Sequence, residues 1–196
     1  VAAIGSYEAM LFIGSAAAFF WANGLLQGIP PLYARMEAAE RKVFIFNVFL
    51  LFGAIGLGLF LALWLGQSLV VPALTGLPEL PHFGWYCEYQ VFNFATLPVE
   101  YLYLLKEQPR ALAGWGIFSF GTFVLALMLP VYAGYGLESG LIGLAVQGAL
   151  RFVWAAVLVL RNGPQRWQPA LARRYLDFSA PLVLNLLVGN LVILFD

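Results

Sequence analysis

Charge is what this sequence has least of. Only 10% of its 196 residues are Asp, Glu, Lys or Arg, against roughly 25% in an ordinary soluble domain. A soluble protein must clothe its surface in polar and charged groups, and too few are present here. That excludes a cytosolic enzyme, a nucleic-acid binder and a disordered tail. Ten basic and ten acidic residues cancel, so no bulk field attracts nucleic acid or an acidic partner. The single cysteine, Cys87, excludes an internal disulfide framework and any paired-cysteine metal or redox site. The single histidine, His82, excludes a two-histidine zinc motif. No nucleophile elbow, phosphate-binding glycine loop, DxD pair or metal-spaced cluster occurs, and no signal peptide is readable at the start. What the chain has in excess is apolar: 62% of residues are hydrophobic and 16% aromatic, with a mean hydropathy of +0.85. Lipid is the solvent that suits this composition.

A helix that crosses about 30 Å of hydrocarbon needs about 20 mostly apolar residues. Six segments qualify: residues 7–29, 43–66, 82–105, 111–133, 137–160 and 178–195. Each is far too long for a barrel strand and none alternates. The expected fold class is therefore all-α, a polytopic membrane bundle of six transmembrane helices. Pro30-Pro31, the prolines at 72, 78 and 81, Gln108-Pro109, Gly134 with Gly136, and Asn162-Gly163-Pro164 mark the breaks between them. The chain starts at Val1 and ends at Asp196, at the end of an apolar run. It is expected to be a piece of a longer membrane protein.

The basic residues set the expected topology. Arg35, Arg41 and Lys42 fall between the first and second segments, Lys106 and Arg110 between the third and fourth. Arg161, Arg166, Arg173 and Arg174 fall between the fifth and sixth, and the two remaining loops hold none. By the positive-inside rule those three loops are cytoplasmic. Residues 67–81 and 134–137 are then outside, and residue 1 starts outside. Residues 165–177 carry Trp167, Leu171, Arg173, Arg174 and Tyr175. They read either as a basic amphipathic helix on the cytoplasmic interface or as a plain linker with interfacial anchors.

Polar groups inside hydrocarbon are costly and normally face a cavity or another helix. At helical spacing His82, Trp85, Tyr89, Asn93, Thr96, Glu100 and Tyr103 share an arc of about 80°. That stripe reads as the wall of a water-accessible cavity or as a static hydrogen-bond seam. Pro98 within it is expected to kink the helix and to free the Phe94 carbonyl. The first segment aligns Glu8, Ser15, Asn23 and Gln27, and its Gly24 and Gly28 read as helix packing. The fifth aligns Gly140, Gly143, Gln147, Arg151 and Trp154; the sixth aligns Asn185, Gly189 and Asp196. The second and fourth carry few polar residues, Asn47 and then Ser119 and Thr122, and read as outer helices. Arg151 lies about ten residues, or ~15 Å, from the cytoplasmic helix end. Its insertion costs at least ~2.5–3.5 kcal/mol unless it is solvated or paired. Two readings stand: a pair with Glu100 or Glu88, or an anion site, since a guanidinium fork suits phosphate.

Four stretches carry a resemblance. They are Ser6-Tyr7-Glu8 followed by residues 24–33 (GLLQGIPPLY), residues 98–106 (PVEYLYLLK), residues 175–183 (YLDFSAPLV), and Phe195-Asp196. Together they resemble the polysaccharide/oligosaccharide (O-antigen type) flippases of the multidrug/oligosaccharidyl-lipid/polysaccharide exporter superfamily, over about the second to the seventh family helix. The resemblance implies a two-bundle transporter of the bacterial cytoplasmic (inner) membrane, working by alternating access on lipid-diphosphate-linked sugars. Residues 1–160 would belong to the first bundle, 161–177 to the interbundle linker and 178–196 to the first helix of the second bundle. Partners would be the lipid-linked sugar, membrane lipids and the helices missing from this piece, with no nucleic acid. No cofactor or metal is implied, and coupling to H+ or Na+ is left open. Arg151 would meet the diphosphate. Gln147, Tyr89, Asn93, Thr96 and Glu100 would line the path, and Trp85 and Trp154 would stack on sugars. The rival readings are a multidrug/cation antiporter of the same superfamily, which would favour an acidic cavity without Arg151, and a multi-pass enzyme of envelope polysaccharide synthesis, which would need an acid–histidine cluster or a large outer loop. A structural membrane subunit is a fourth, and it needs no polar stripe.

Overall fold

Regular helices account for nearly all of the computed structural model, which describes the backbone of residues 2–161 and 166–195 and the side chains of residues 4–18, 21–161 and 166–189. Asn162-Gly163-Pro164, Gln165 and Asp196, singled out in the sequence, lie outside the described residues. The helices are α1 Ala2–Ala34, α2 Ala38–Leu65, α3 Gln67–Thr75, α4 Phe83–Thr96, α5 Pro98–Leu105, α6 Pro109–Tyr132, α7 Gly136–Arg161 and α8 Pro169–Phe195. No strand occurs among the described residues. An α-helix satisfies its backbone polar groups internally, which is what a lipid environment requires.

Three helices, α2, α6 and α7, are long and apolar enough to cross a membrane. A fourth is added if the two arms of α1, Ile4–Ala18 and Trp21–Ala34, count as one bent span; they diverge by 51°. At the bend the Trp21 indole N–H donates to the Ala17 carbonyl at 2.7 Å, so a side chain enters the helical ladder there. The third expected segment is broken at Leu97 into α4 and α5, of 14 and 8 residues. Neither is long enough by itself to cross about 30 Å.

α7 packs between α4 and α6, α4 packs between α2 and α7, and α1 runs along α8. The expectation that α2 is an outer helix is corrected: its Phe44, Val48, Phe52 and Phe60 are core residues. α6 is the lipid-like helix, with only 11% of its apolar stretch buried. Its Ile117, Phe120, Leu125 and Leu129 lie open, a surface that would promote association in water. Gly24 and Gly28 bring α1 onto α8, as the packing reading expects. A Cβ on Gly24 would stand 2.6 Å from the Val183 Cα, and one on Gly28 would overlap the Ser179 hydroxyl.

Several boundaries differ from the sequence reading. Pro30 and Pro31 lie inside α1, which runs on to Ala34. Ile29, Leu32 and Met36 are buried there, and the chain closes with Arg35 and Met36 N–H bonds to the Leu32 and Tyr33 carbonyls. Packing thus offsets the two missing N–H groups. The 67–81 loop contains a helix, α3, set off from α2 by the non-helical Gly66 and ended by Gly76 at φ 70°. The sixth segment starts earlier than expected. Residues 169–177 and the apolar run beyond them form one helix, opened by Pro169, a residue suited to the first turn because its N–H is not needed.

The ends of the helices sort as the basic residues imply. The Asn47 carboxamide, near the start of α2, binds the backbone of residues 166 and 168. Lys106 lies near Lys42, and burial together with that like charge lowers its pKa. At the other end His82 Nδ1 stands 3.5 Å from the Glu138 carboxylate. Among the described residues, the loops that carry Lys and Arg gather at one end of the helices and the loops that carry neither at the other.

Candidate functional site

The polar side chains of α4 and α7 meet in a seam whose centre is Arg151, 8% exposed. Arg151 Nη1 donates to Asn93 Oδ1 at 2.7 Å. Its guanidinium carbon lies 5.2 Å from the Trp115 ring centroid of α6, within cation–π range. Arg151 makes no ion pair among the described residues. Glu88 and Glu100, its expected partners, are both exposed. Its buried Nε has no hydrogen-bond partner among the described residues.

Asn93 is the hub. While its Oδ1 accepts from Arg151, its Nδ2 donates to Gln90 Oε1 at 3.1 Å. Gln90 Nε2 in turn donates to Tyr86 Oη at 2.7 Å, and Tyr86 Oη lies against Gly14 of α1. A polar chain therefore runs from α7 through α4 to α1. Pro98 shapes the hub from below. The Leu97 N–H bonds the Phe94 carbonyl at 3.2 Å, so the carbonyl expected to be free is occupied. The acceptor left over is Asn93 O, and the Thr96 hydroxyl donates to it at 2.8 Å. Thr96, fully buried, thus stabilises the backbone that aims Asn93.

The other expected residues divide. Gln147 is buried one turn before Arg151 but turns to α6, where its Nε2 donates to Ser119 O and Thr122 Oγ1, each at 3.2 Å. Its buried Oε1 has no partner among the described residues. Tyr89 packs against Phe123 and Gly148. Trp154 donates to Tyr103 Oη at 3.2 Å and stacks near Phe118, with ring centroids 4.9 Å apart. Its free face lines an apolar groove of about 510 Å³ that ends at Arg161. Trp85 stands apart, on a different groove between α2 and α4. Glu100 lies on α5 beyond the proline, exposed. So Arg151, Asn93 and Thr96 meet in one seam, Gln147, Tyr89 and Trp154 flank it, Glu100 makes no direct contact with it but acts on Arg151 electrostatically, and Trp85 lies away from it. No known protein family, characterised protein or solved structure matches the chain.

Four contributors escaped the sequence reading. Gln90 and Tyr86 extend the chain from Asn93, Trp115 covers Arg151, and Asn47 pins the segment before α8. Asn47 is 2% exposed; its Oδ1 accepts the Gln168 N–H at 2.7 Å, and its Nδ2 donates to Val43 O at 2.8 Å and Arg166 O at 3.3 Å. A lone carboxamide in an apolar helix was the available signal. Among the described residues no three His, Cys, Asp or Glu side chains converge as a metal site requires.

Chemically, the seam holds one fixed positive charge in a low-dielectric surround, with donor capacity to spare. Asn93 Oδ1 takes one hydrogen of a group that has five. Among the described residues no carboxylate lies within ion-pair distance of it, and the exposed Glu100 acts on it only through space, so an entering anion would not have to break a salt bridge.

Proposed function

We propose that this chain is part of a membrane transporter that moves lipid-diphosphate-linked oligosaccharide or polysaccharide precursors across a bacterial cytoplasmic membrane by alternating access. The observation that carries the reading is Arg151, deep in α7, buried and without an ion-pair partner among the described residues. A static seam gains little from a buried cation without a salt-bridge partner, whereas an anion carrier needs one. On this reading six spans are present, α4 and α5 crossing the bilayer together through the Leu97 joint. α8 opens a second bundle, and helices beyond this chain complete the cavity.

The residues divide the work. Arg151 offers Nε and its unspent Nη hydrogens to the diphosphate. Asn93 holds the guanidinium plane while the site is empty, and Thr96 fixes the Asn93 backbone. Separating α7 from α4 breaks a neutral–charged hydrogen bond and a ring contact rather than a salt bridge. That keeps the closed state from being over-stabilised. The proline joint between α4 and α5 is where the helix can flex.

Flipping of a fluorescent diphosphate-linked lipid sugar by the reconstituted full-length protein tests this. Arg151→Ala is expected to lower the rate at least tenfold in protein that remains folded. Arg151→Lys is expected to recover part of it, because an ammonium keeps the charge and loses the fork. Wild-type flipping by a folded Arg151→Ala variant would remove the residue, and with it this reading's main support.

A further inference from the structure

A second site lies outside that seam. Between α2 and α4 runs a groove of about 650 Å³ whose lining is almost wholly apolar along its length. Its floor is Phe60, fully buried, and its outward rim is Leu57 and Leu61, 53% and 42% exposed. One end opens where α2 finishes and α4 begins, and there the lining changes character. Trp64 and Trp85 bring two indoles to the mouth, 47% and 37% exposed. Glu88, on the α4 turn after Trp85, adds an exposed carboxylate that makes no ion pair among the described residues. The mouth's basic group, His82, is turned to Glu138 at 3.5 Å. Gly84 lets Trp64 close on α4, since a Cβ there would come 3.0 Å from the indole nitrogen.

Two indole faces and a free carboxylate are the chemistry that recognises a cation. An apolar channel leading from them toward mid-membrane is the chemistry that accepts a hydrocarbon chain. Glu88, in no ion pair among the described residues, makes the mouth unfavourable to an anionic headgroup. A primary ammonium fits better than a quaternary one, because it can donate hydrogen bonds to Glu88. We propose that the α2–α4 groove is a binding site for an ethanolamine phospholipid, its ammonium held by Trp64, Trp85 and Glu88 and one acyl chain lying along Leu57 and Leu61. The site rests on the reading of α2 as a membrane span and is independent of whether the protein transports sugars.

The full-length protein, reconstituted in vesicles containing equal amounts of phosphatidylethanolamine, phosphatidylcholine and phosphatidylglycerol, is extracted gently and its retained lipids are counted by native mass spectrometry. Ethanolamine lipid is expected to exceed the glycerol lipid roughly fivefold to tenfold. Glu88→Gln is expected to reduce that excess to the level of choline lipid, and Trp85→Leu to lower it severalfold. Leu61→Trp, which fills the channel, is expected to remove all three lipids together. Equal retention of the three headgroups by the wild type, a preference for the glycerol lipid, or an unchanged preference in Glu88→Gln each overturns the site. Failure of the protein to float with the vesicles overturns the membrane reading instead, and the site with it.

Discussion

At the scale of single residues, the decisive chemistry is done by carboxamides. The depth of Arg151 is legible in the sequence, because counting residues from a helix end measures depth. Its partner is not. Sequence reasoning looked for an acid, since opposite charges attract, but burying a second ion carries its own desolvation cost. Asn93, a neutral amide one helix away, meets the cation without it. Asn47 shows the same economy at the α2 end, where one side chain serves two backbone groups of the segment before α8. Asn47→Ala leaves the Gln168 N–H and Arg166 carbonyl without that partner and is expected to cost about 1–3 kcal/mol. Thermal unfolding in detergent should fall accordingly, and hydrogen exchange at the Gln168 amide should quicken. An unchanged midpoint together with unchanged exchange would show that the clasp does not hold this segment.

Among elements, packing outranks local propensity. Proline and glycine rules located the breaks at Gln108-Pro109 and at Gly134 with Gly136, and the all-helical class follows directly from long apolar runs without alternation. The rules failed where neighbours compensate. α1 passes through Pro30 and Pro31 because its last turn is buried, and α3 forms despite Pro72 because Val71 is buried. The outer-helix reading of α2 failed for another reason. In lipid both faces of a helix are apolar, so composition cannot tell a core face from a lipid face; only fit can. Fit is set at α1–α8 by small residues. Gly28→Ala is expected to destabilise by about 1–3 kcal/mol through its clash with Ser179, and Ser179→Ala in the same chain should return part of that. Gly114→Ala, which meets nothing within 4 Å, should be neutral or slightly stabilising. Equal effects of the Gly28 and Gly114 substitutions on the unfolding midpoint would rule out the close approach.

For the whole molecule, the arrangement of charge predicts the orientation, and the proposed function assigns the work to the seam. With Cys87→Ala as background, Glu79→Cys should react with an impermeant thiol reagent in intact cells, and Gln108→Cys only after the membrane is opened. The reverse pattern would invert the topology and place the Arg161 end of α7 outside. The seam's role is tested most directly by binding. The affinity of the full-length protein in nanodiscs for a diphosphate-linked lipid is compared with that for the matching monophosphate, in the wild type and in Arg151→Ala. If Arg151 is the anion site, the diphosphate binds at least tenfold tighter in the wild type and that preference disappears in the variant. A folded Arg151→Ala protein that keeps the full preference for diphosphate contradicts the account.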